Sequence, residues 1–445
     1  MLLILVVLYI FIRRNDLKVT LINLLVVLRG ILAPNCFWYN ISDKILNDSS
    51  GVNLYNTYKR NYGDFVMSNM FRKKVYIVTN IKYVKTILDN SPNLFSVGKL
   101  KKTFFKSFME KNVGVSTGCP WKKRRYVNEV ALDTDRLHIY GEKYNNDIHE
   151  QLIKWSNKSV ITYEDFYSLG KTMVAKIVFN SNNIDDDIFK IFSEANSIQV
   201  FYNSNFKINS KIYNNYITTL NHYIENPNKK SLIELCMLVT NDKEEVLHQI
   251  PHFIFPIVGL FVNNIPRLLL LLCNHPDILD KVINEIYSIR NNDVNSHTSV
   301  YNLIFLRKCI LETLRLNNPV ITTFRTLTQD YTFDNKYSFK KGTQFVILNN
   351  PILREKEFFE KPNKFVPSRW TSKMEKSYYA ISFNQGPQRC PGKELAIYLM
   401  QIFVYNFIKI RNIGIENRLT TNKINTNSIS QSLNPCNIKF NISKM

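Results

Sequence analysis

A mostly α-helical single domain with a minor β part, placed behind an apolar amino-terminal segment, is the fold class this sequence predicts. Three observations carry that expectation. Apolar residues recur at helical spacing in residues 81–88, 277–290, 300–316 and 392–410. Short runs rich in β-branched and aromatic residues are confined to residues 63–79 and 324–348. No internal repeat or long linker divides the body, although 445 residues would allow three domains at about 150 residues each.

The amino terminus comes first. Residues 2–12 are unbroken apolar and are followed by Arg13 and Arg14. As a helix they rise about 16 Å, roughly half a hydrocarbon core of about 30 Å. A second apolar run, residues 19–33, contains Asn23 and Arg29. A basic leader and a small-residue cleavage site are both lacking, which argues against a cleaved signal peptide. The expectation is a membrane anchor with an amphipathic segment over residues 1–33, in contact with membrane lipid; the competing reading is a buried amino-terminal helix. Arg13, Arg14, Lys18 and Arg29 all follow the first apolar run, which leaves the body on the cytosolic side of an endoplasmic-reticulum-like membrane, or of a host membrane if the chain is viral. Residues 34–54 read as a linker and residues 55–445 as the globular domain.

Within the body, residues 63–79 predict two strands around a turn at Arg72, Lys73 and Lys74, and residues 81–88 a helix. Residues 140–250 read as largely helical, with asparagine-rich breaks near 180, 203–215 and 226–228. Residues 250–272 form a long apolar helix that Pro251, Pro256 and Pro266 should kink. Helices over 277–290 and 300–316, short strands over 324–348 and a last helix over 392–410 complete the domain.

Lys+Arg 58 against Asp+Glu 36 gives a net charge of +22. That balance suits nucleic acid, anionic lipid or an acidic protein. Asn, Ile and Lys are abundant while Gly is only 13, a usage expected from an A+T-rich genome, so the charge alone assigns no partner. Seven scattered cysteines without a CxxC pair argue against a disulfide scaffold or zinc ribbon and for a reducing compartment. With 45% hydrophobic and 13% aromatic residues, disorder is excluded for the bulk of the chain.

Two motifs fail for lack of context. Gly114-Val115-Ser116-Thr117-Gly118 matches GxSxG, but no apolar strand precedes it to present the serine. His248 and His252 have i,i+4 spacing, yet Gln249 replaces the glutamate of HExxH and Pro251 interrupts the helical face. The basic run Lys122-Lys123-Arg124-Arg125 is too short, and too poor in interleaved aromatics, for a nucleic-acid surface, so no nucleic-acid partner is expected.

One constellation passes. Phe383-Asn384-Gln385-Gly386-Pro387-Gln388-Arg389-Cys390-Pro391-Gly392 leads directly into an apolar helix. Two glycines and two prolines around one cysteine describe a tight loop that brings backbone to the sulfur. Amides opening the following helix, with its dipole, stabilise a thiolate, and Phe383 shields it from water. Such a thiolate suits axial ligation of haem iron.

This loop resembles the cysteine loop of the cytochrome P450 family, F-x-x-G-x-R-x-C-x-G. Phe383, Gly386, Cys390 and Gly392 fall on it, while Gln388 occupies the arginine position and Arg389 follows one place later. The resemblance implies haem b with Cys390 as proximal iron ligand and catalytic centre. Other pieces stand in family order. Glu312-Thr313-Leu314-Arg315 matches E-x-x-R, whose spacing puts both side chains on one helix face. Pro367-Ser368-Arg369-Trp370 resembles the segment whose arginine completes a buried Glu312, Arg315, Arg369 cluster. Trp121-Lys122-Lys123-Arg124-Arg125 matches W-x-x-x-R, implying that Trp121 and Arg125 contact haem propionates, and Arg325 resembles a further propionate arginine. The likeness extends over roughly residues 55–440 and is weakest across 140–250.

The long helix departs from the family. Where an A-G-x-[D/E]-T segment is usual, this chain has Pro256-Ile257-Val258-Gly259-Leu260-Phe261, with Asn263 and Asn264 about a turn later. Leu260 and Phe261 cannot supply acid catalysis. The implied function is a monooxygenase that inserts one oxygen atom into an apolar, lipid- or sterol-like substrate with electrons from a reductase. The alternatives are a peroxide-dependent or isomerising haem-thiolate enzyme and a non-catalytic haem-binding protein.

Overall fold

The computed structural model describes residues 51–70, 73–105, 110–133, 137–195, 209–289, 297–411, 419–420 and 439–442. The expected membrane segment over 1–33 lies outside them.

Two packed regions make up the body. The smaller is built on a five-stranded sheet of order β1 (Phe65–Met70), β2 (Lys73–Val78), β8 (Gln344–Leu348), β5 (Thr322–Leu327), β3 (Phe95–Val97). Within this sheet the β2–β8 pairing is parallel and β1–β2, β5–β8 and β3–β5 are antiparallel; β4 (Val160–Ile161) lies outside it, paired with the strand Phe440–Ile442. Helix Ile81–Asp89 covers the sheet, its start capped by the Asn80 side chain, which accepts from the Lys82 N–H. Phe65, Tyr83, Phe95, Phe333 and Phe345 pack in tilted and edge-to-face ring pairs around the sheet and the β6–β7 hairpin (Tyr331–Phe333, Tyr337–Phe339). That hairpin turns over three residues, 334–336, with Asp334 and Asn335 both at positive φ (47° and 54°) and Lys336 N–H donating to Phe333 O at 2.8 Å.

The larger region is helical. Its spine is the helix Lys243–Cys273, capped at its start by Asp242, which accepts from the Glu245 N–H. The stretch is long and apolar enough to cross a membrane, but 72% of that window is buried inside the fold, so it serves as the core helix. Around it pack helices Gly118–Ala131, Tyr163–Val174, Ile304–Leu316 and Lys393–Arg411, and their apolar faces form one contiguous core.

Several expectations need correction. Lys73 and Lys74, expected in the turn between the first two strands, already pair in β2 with Met70 and Asn69. The helix expected over 300–316 breaks into His297–Tyr301 and Ile304–Leu316, with Leu303 non-helical (φ −68°, ψ 81°) and buried. Residues 210–215, expected as part of an asparagine-rich break, open the helix Ser210–Glu225. Asn209 caps that helix by accepting from Lys211 N–H and Ile212 N–H, and Tyr216, Leu220 and Ile224 bury one face of it. Within the long helix, Leu260–Asn264 adopt the π pattern between Pro256 and Pro266.

Candidate functional site

The cysteine loop is held by its own backbone. Cys390 N–H donates to Phe383 O at 2.8 Å and Arg389 N–H to Gly386 O at 3.1 Å, closing the ten-residue segment on itself. Gln385 Nε2 ties it to three carbonyls, those of Glu375, Ser377 and Ala380, at 3.1–3.3 Å. Gly386 is there of necessity: its φ is +72°, and a Cβ would lie 2.5 Å from Leu88 O at the end of helix Ile81–Asp89. Gly392 is under no such constraint, since a Cβ there meets only Leu132 Cδ1 at 3.7 Å. Phe383 is half-buried, packed against the larger core.

Asn384 carries the strain of this loop, at φ 61° and ψ 176°, a region nearly restricted to glycine and costing about 1–3 kcal/mol for other residues. Its Nδ2 recovers one bond, to Gln388 O at 3.3 Å. Asn384→Gly is therefore expected to raise the unfolding midpoint in urea, with a gain of about 1 kcal/mol after the lost bond is counted. A lowered midpoint would show that the side-chain bond outweighs the strain.

Cys390 itself has an accessible surface, yet protein surrounds most of it. Burial lifts its thiol above the ordinary cysteine range; a Gly392 N–H donated to the sulfur, then Arg125 and Lys393 nearby, pull in the thiolate direction. The arrangement is that of a sulfur ready to become a thiolate when a cation or metal faces it.

Helix Gly118–Ala131 links this loop to the long helix. Arg125 Nη1 donates to Arg389 O at 2.5 Å and its Nε to Glu129 at 2.7 Å, so the guanidinium grips the loop one residue before the cysteine. One turn earlier, half-exposed Trp121 lines the same recess as Arg125, Gly386 and Arg389. On the other side, Arg124 forms a two-pronged pair with Glu245 (2.6 and 2.7 Å), and Asn128 Nδ2 reaches Gln249 Oε1 at 3.2 Å. Arg325 sits on β5, buried, with Nε donating to Ser91 Oγ and Nη1 to Phe324 O, both at 2.8 Å. Both acceptors are neutral, and burial pushes its guanidinium down to about 10. A buried cation with neutral partners suits the carboxylate side chains of a haem, and together with the accessible Cys390 it makes this donor set fit that group.

Glu312, Arg315 and Arg369 are brought together. Glu312 and Arg315 are fully buried and paired through two bonds of 2.9 Å; Arg369 Nε donates to Glu312 Oε1 at 3.1 Å. Sequence reasoning missed two further donors to the same carboxylate, Trp370 Nε1 (2.9 Å) and Val366 N–H (3.0 Å). Arg315 also donates to the carbonyls of Leu353, Pro362 and Lys364, pinning the segment that precedes the cysteine loop. A second cluster on this helix was missed too: Arg307 bonds both Glu375 (2.9 Å) and Glu394 (2.6 Å), and Lys393 bonds Glu375 (3.0 Å). Helix Ile304–Leu316 thus holds the loop from both of its ends.

On the long helix, Leu260 and Phe261 are both buried. Phe261 lies against Gly170 and the Phe403 ring, at a centroid distance of 6.4 Å. Asn263 accepts from Arg267 through its carbonyl at 3.0 Å, and Asn264 Oδ1 is buried with no hydrogen-bond partner among the described residues. Ser116 of the GxSxG match sits just past a short 3₁₀ turn and donates to Asn112 O, accepting from Arg124.

Known proteins resemble this chain in sequence and in fold. The family model described as Cytochrome P450 matches residues 263–435. Similar curated proteins include a beta-amyrin 11-oxidase of Glycyrrhiza uralensis (32% identity over 150 residues, 33% of this chain and 30% of that protein). A mitochondrial sterol 26-hydroxylase of Mus musculus is 27% identical over 192 residues (41% of this chain and 36% of that protein). A probable mitochondrial cytochrome P450 12d1 (proximal) of Drosophila melanogaster is 23% identical over 430 residues, 80% of each chain. The chain thus spans about a third of the length of the first two relatives. Among solved structures, the retinoic acid-bound cyanobacterial CYP120A1 superposes with a TM-score of 0.71 at 16% identity, covering 91% of this chain and 96% of that one.

Proposed function

The chain belongs to the cytochrome P450 family as a divergent member, and from that premise we propose that it is a haem-thiolate monooxygenase acting on an apolar substrate. The observation that carries the reading is the accessible Cys390 whose sulfur accepts the Gly392 N–H, with Arg125 fixed on the preceding carbonyl. When bound, a haem ligated by that thiolate supplies the oxygen-activating chemistry. The protein's own residues do the rest. Cys390 would ligate the haem iron through its thiolate, the Gly392 amide would temper the sulfur's charge, and Arg125, Arg325 and Trp121 would hold the haem carboxylates, with haem b the form expected. Glu312, Arg315 and Arg369 keep the loop in place.

An apolar substrate is favoured by the long helix, where Phe255 is 42% exposed and Val258 and Gly259 are partly accessible between buried residues. The names of the amyrin oxidase and sterol hydroxylase point to the same class. Electrons would come from a reductase docked against the basic recess bearing Lys122 and Arg389, and the amino-terminal apolar segment would hold the domain on a membrane.

With Leu260 and Phe261 buried there, the middle of the long helix has no acid to deliver protons. With a reductase, NADPH and an apolar probe substrate, most electrons are expected to emerge as hydrogen peroxide rather than product. Organic hydroperoxide, which brings its own protons, should give more product per oxidant consumed. Tight coupling to NADPH with no gain from hydroperoxide would overturn the expected proton defect and assign the relay to a water on the unpartnered Asn264 Oδ1. Peroxide-dependent turnover without any reductase-driven turnover would favour the second reading, a peroxide-using or isomerising enzyme.

A further inference from the structure

Side chains from three elements converge on one point beside Gly114. A methyl group placed on Gly114 would lie 3.1 Å from Asn112 Oδ1, 3.4 Å from Lys101 Nζ and 3.5 Å from His252 Cε1. Lys101 comes from helix Lys99–Phe105, which is anchored on β5: Gly98 N–H donates to Phe324 O at 3.3 Å and Lys99 N–H to Thr326 Oγ1 at 3.1 Å. His252 comes from the long helix, and Asn112 is fixed to that helix by a 2.9 Å bond from its Nδ2 to His248 O. Arg325 lies on the strand residue paired with Val97, next to this anchor.

We infer that Lys101 is a carboxylate-binding residue of this site, acting with Arg325 and beside the imidazole of His252. Cations in a shared, poorly solvated space repel one another and lose hydration. Lys101 shows it: although partly accessible, its ammonium is pushed down to about 8, by burial first and then by Arg325. His252 is pushed down to about 4 by burial, Lys101 and Arg125, and is therefore neutral at physiological pH, with a ring nitrogen available to donate. A bound anion relieves the repulsion and gains charge-assisted hydrogen bonds, which are about twice as strong as neutral ones. No sequence motif marks Lys101, because its partners arrive from β5 and the long helix.

The inference rests on the haem-thiolate reading, and two sources of carboxylate are open to it: the propionates of the cofactor and the acid group of a substrate. Full-length holoprotein carrying Lys101→Met, Lys101→Arg or neither would be compared in two measurements. The first is haem release to excess apomyoglobin, together with the midpoint potential of the iron. The second is spectral titration with a saturated C12 fatty acid and with its methyl ester. If the cofactor's carboxylate is the ligand, Lys101→Met releases haem about tenfold to a hundredfold faster. Its potential also moves to more negative values, since a cation that stabilises the reduced state is gone; Lys101→Arg stays within about threefold of the parent. If a substrate acid is the ligand, haem release is unchanged and Lys101→Met loses the preference for acid over ester. Should Lys101→Met not accumulate, Lys101→Gln carries the same measurements. Unchanged haem release, potential and acid preference would overturn the inference. A parent chain without a thiolate-type CO spectrum would instead overturn the haem-thiolate reading beneath it.

Discussion

Cys390→Ser is expected to yield a protein with no thiolate-type absorption in its reduced, CO-bound form and with little retained haem. A serine hydroxyl in the same loop would have to ionise from a far higher pKa, in surroundings that already disfavour the charged form of Cys390. The Gly392 amide, Arg125 and Lys393 only partly offset burial for a thiol, and an alcohol starts far less acidic than a thiol. Other cysteines serve as controls. Cys236 and Cys273 have thiols pushed up to about 12 by burial, and Cys119 is exposed at the start of helix Gly118–Ala131. Replacing any of these three by serine should leave the CO spectrum in place. The absorption spectrum and the haem-to-protein ratio check both statements. A Cys390→Ser protein with the parental spectrum would remove the basis for the proposed function.

What was legible in the sequence was what one segment encodes alone. The cysteine loop is ten contiguous residues, and its glycine at 386 is dictated by a positive φ and by the close Leu88 carbonyl, constraints that only one residue type meets. Glu312 and Arg315 are one helical turn apart, so their pairing follows from helix geometry. The sheet pairing of residues 65–78 follows from short β-rich runs separated by a turn. Contacts that tertiary packing creates carried no local sign: Trp370 and Val366 on Glu312, Arg307 between two glutamates, and Lys101 beside His252. The asparagine-rich stretch near 210 misled for a related reason. Asn disfavours helix interiors but caps helix starts well, and the apolar i, i+4, i+8 face of Tyr216, Leu220 and Ile224 decides the segment by packing. Leu303 likewise breaks a continuous periodic pattern because the apolar residue is buried between two helices rather than along one.

Glu312→Ala is expected to leave almost no folded holoprotein, because Glu312 is the acceptor on which five donors converge: Arg315 Nε and Nη2, Arg369 Nε, Trp370 Nε1 and the Val366 amide. Arg315 is fully buried, so removal of the carboxylate strands its charge away from water. Breaking such a pair typically costs about 3–5 kcal/mol, against a total stability of about 5–15 kcal/mol for a folded protein. The carbonyls of Leu353, Pro362 and Lys364 still accept from Arg315, which keeps the expected cost inside that range rather than above it. Glu312→Gln should be nearly as damaging, since an amide offers one acceptor oxygen and turns a donor toward a guanidinium. Arg369→Ala should be milder, because Arg369 is more accessible and its other bonds go to Glu360 O and Lys361 O at the surface. The ordering Glu312→Ala, then Glu312→Gln, then Arg369→Ala, read from soluble yield, haem content and urea midpoints, tests whether the carboxylate is the hub. Parental yield and haem content for Glu312→Ala would mean that this buried cluster does not hold the cysteine loop, and that Arg307 with Glu375 and Glu394 holds it instead.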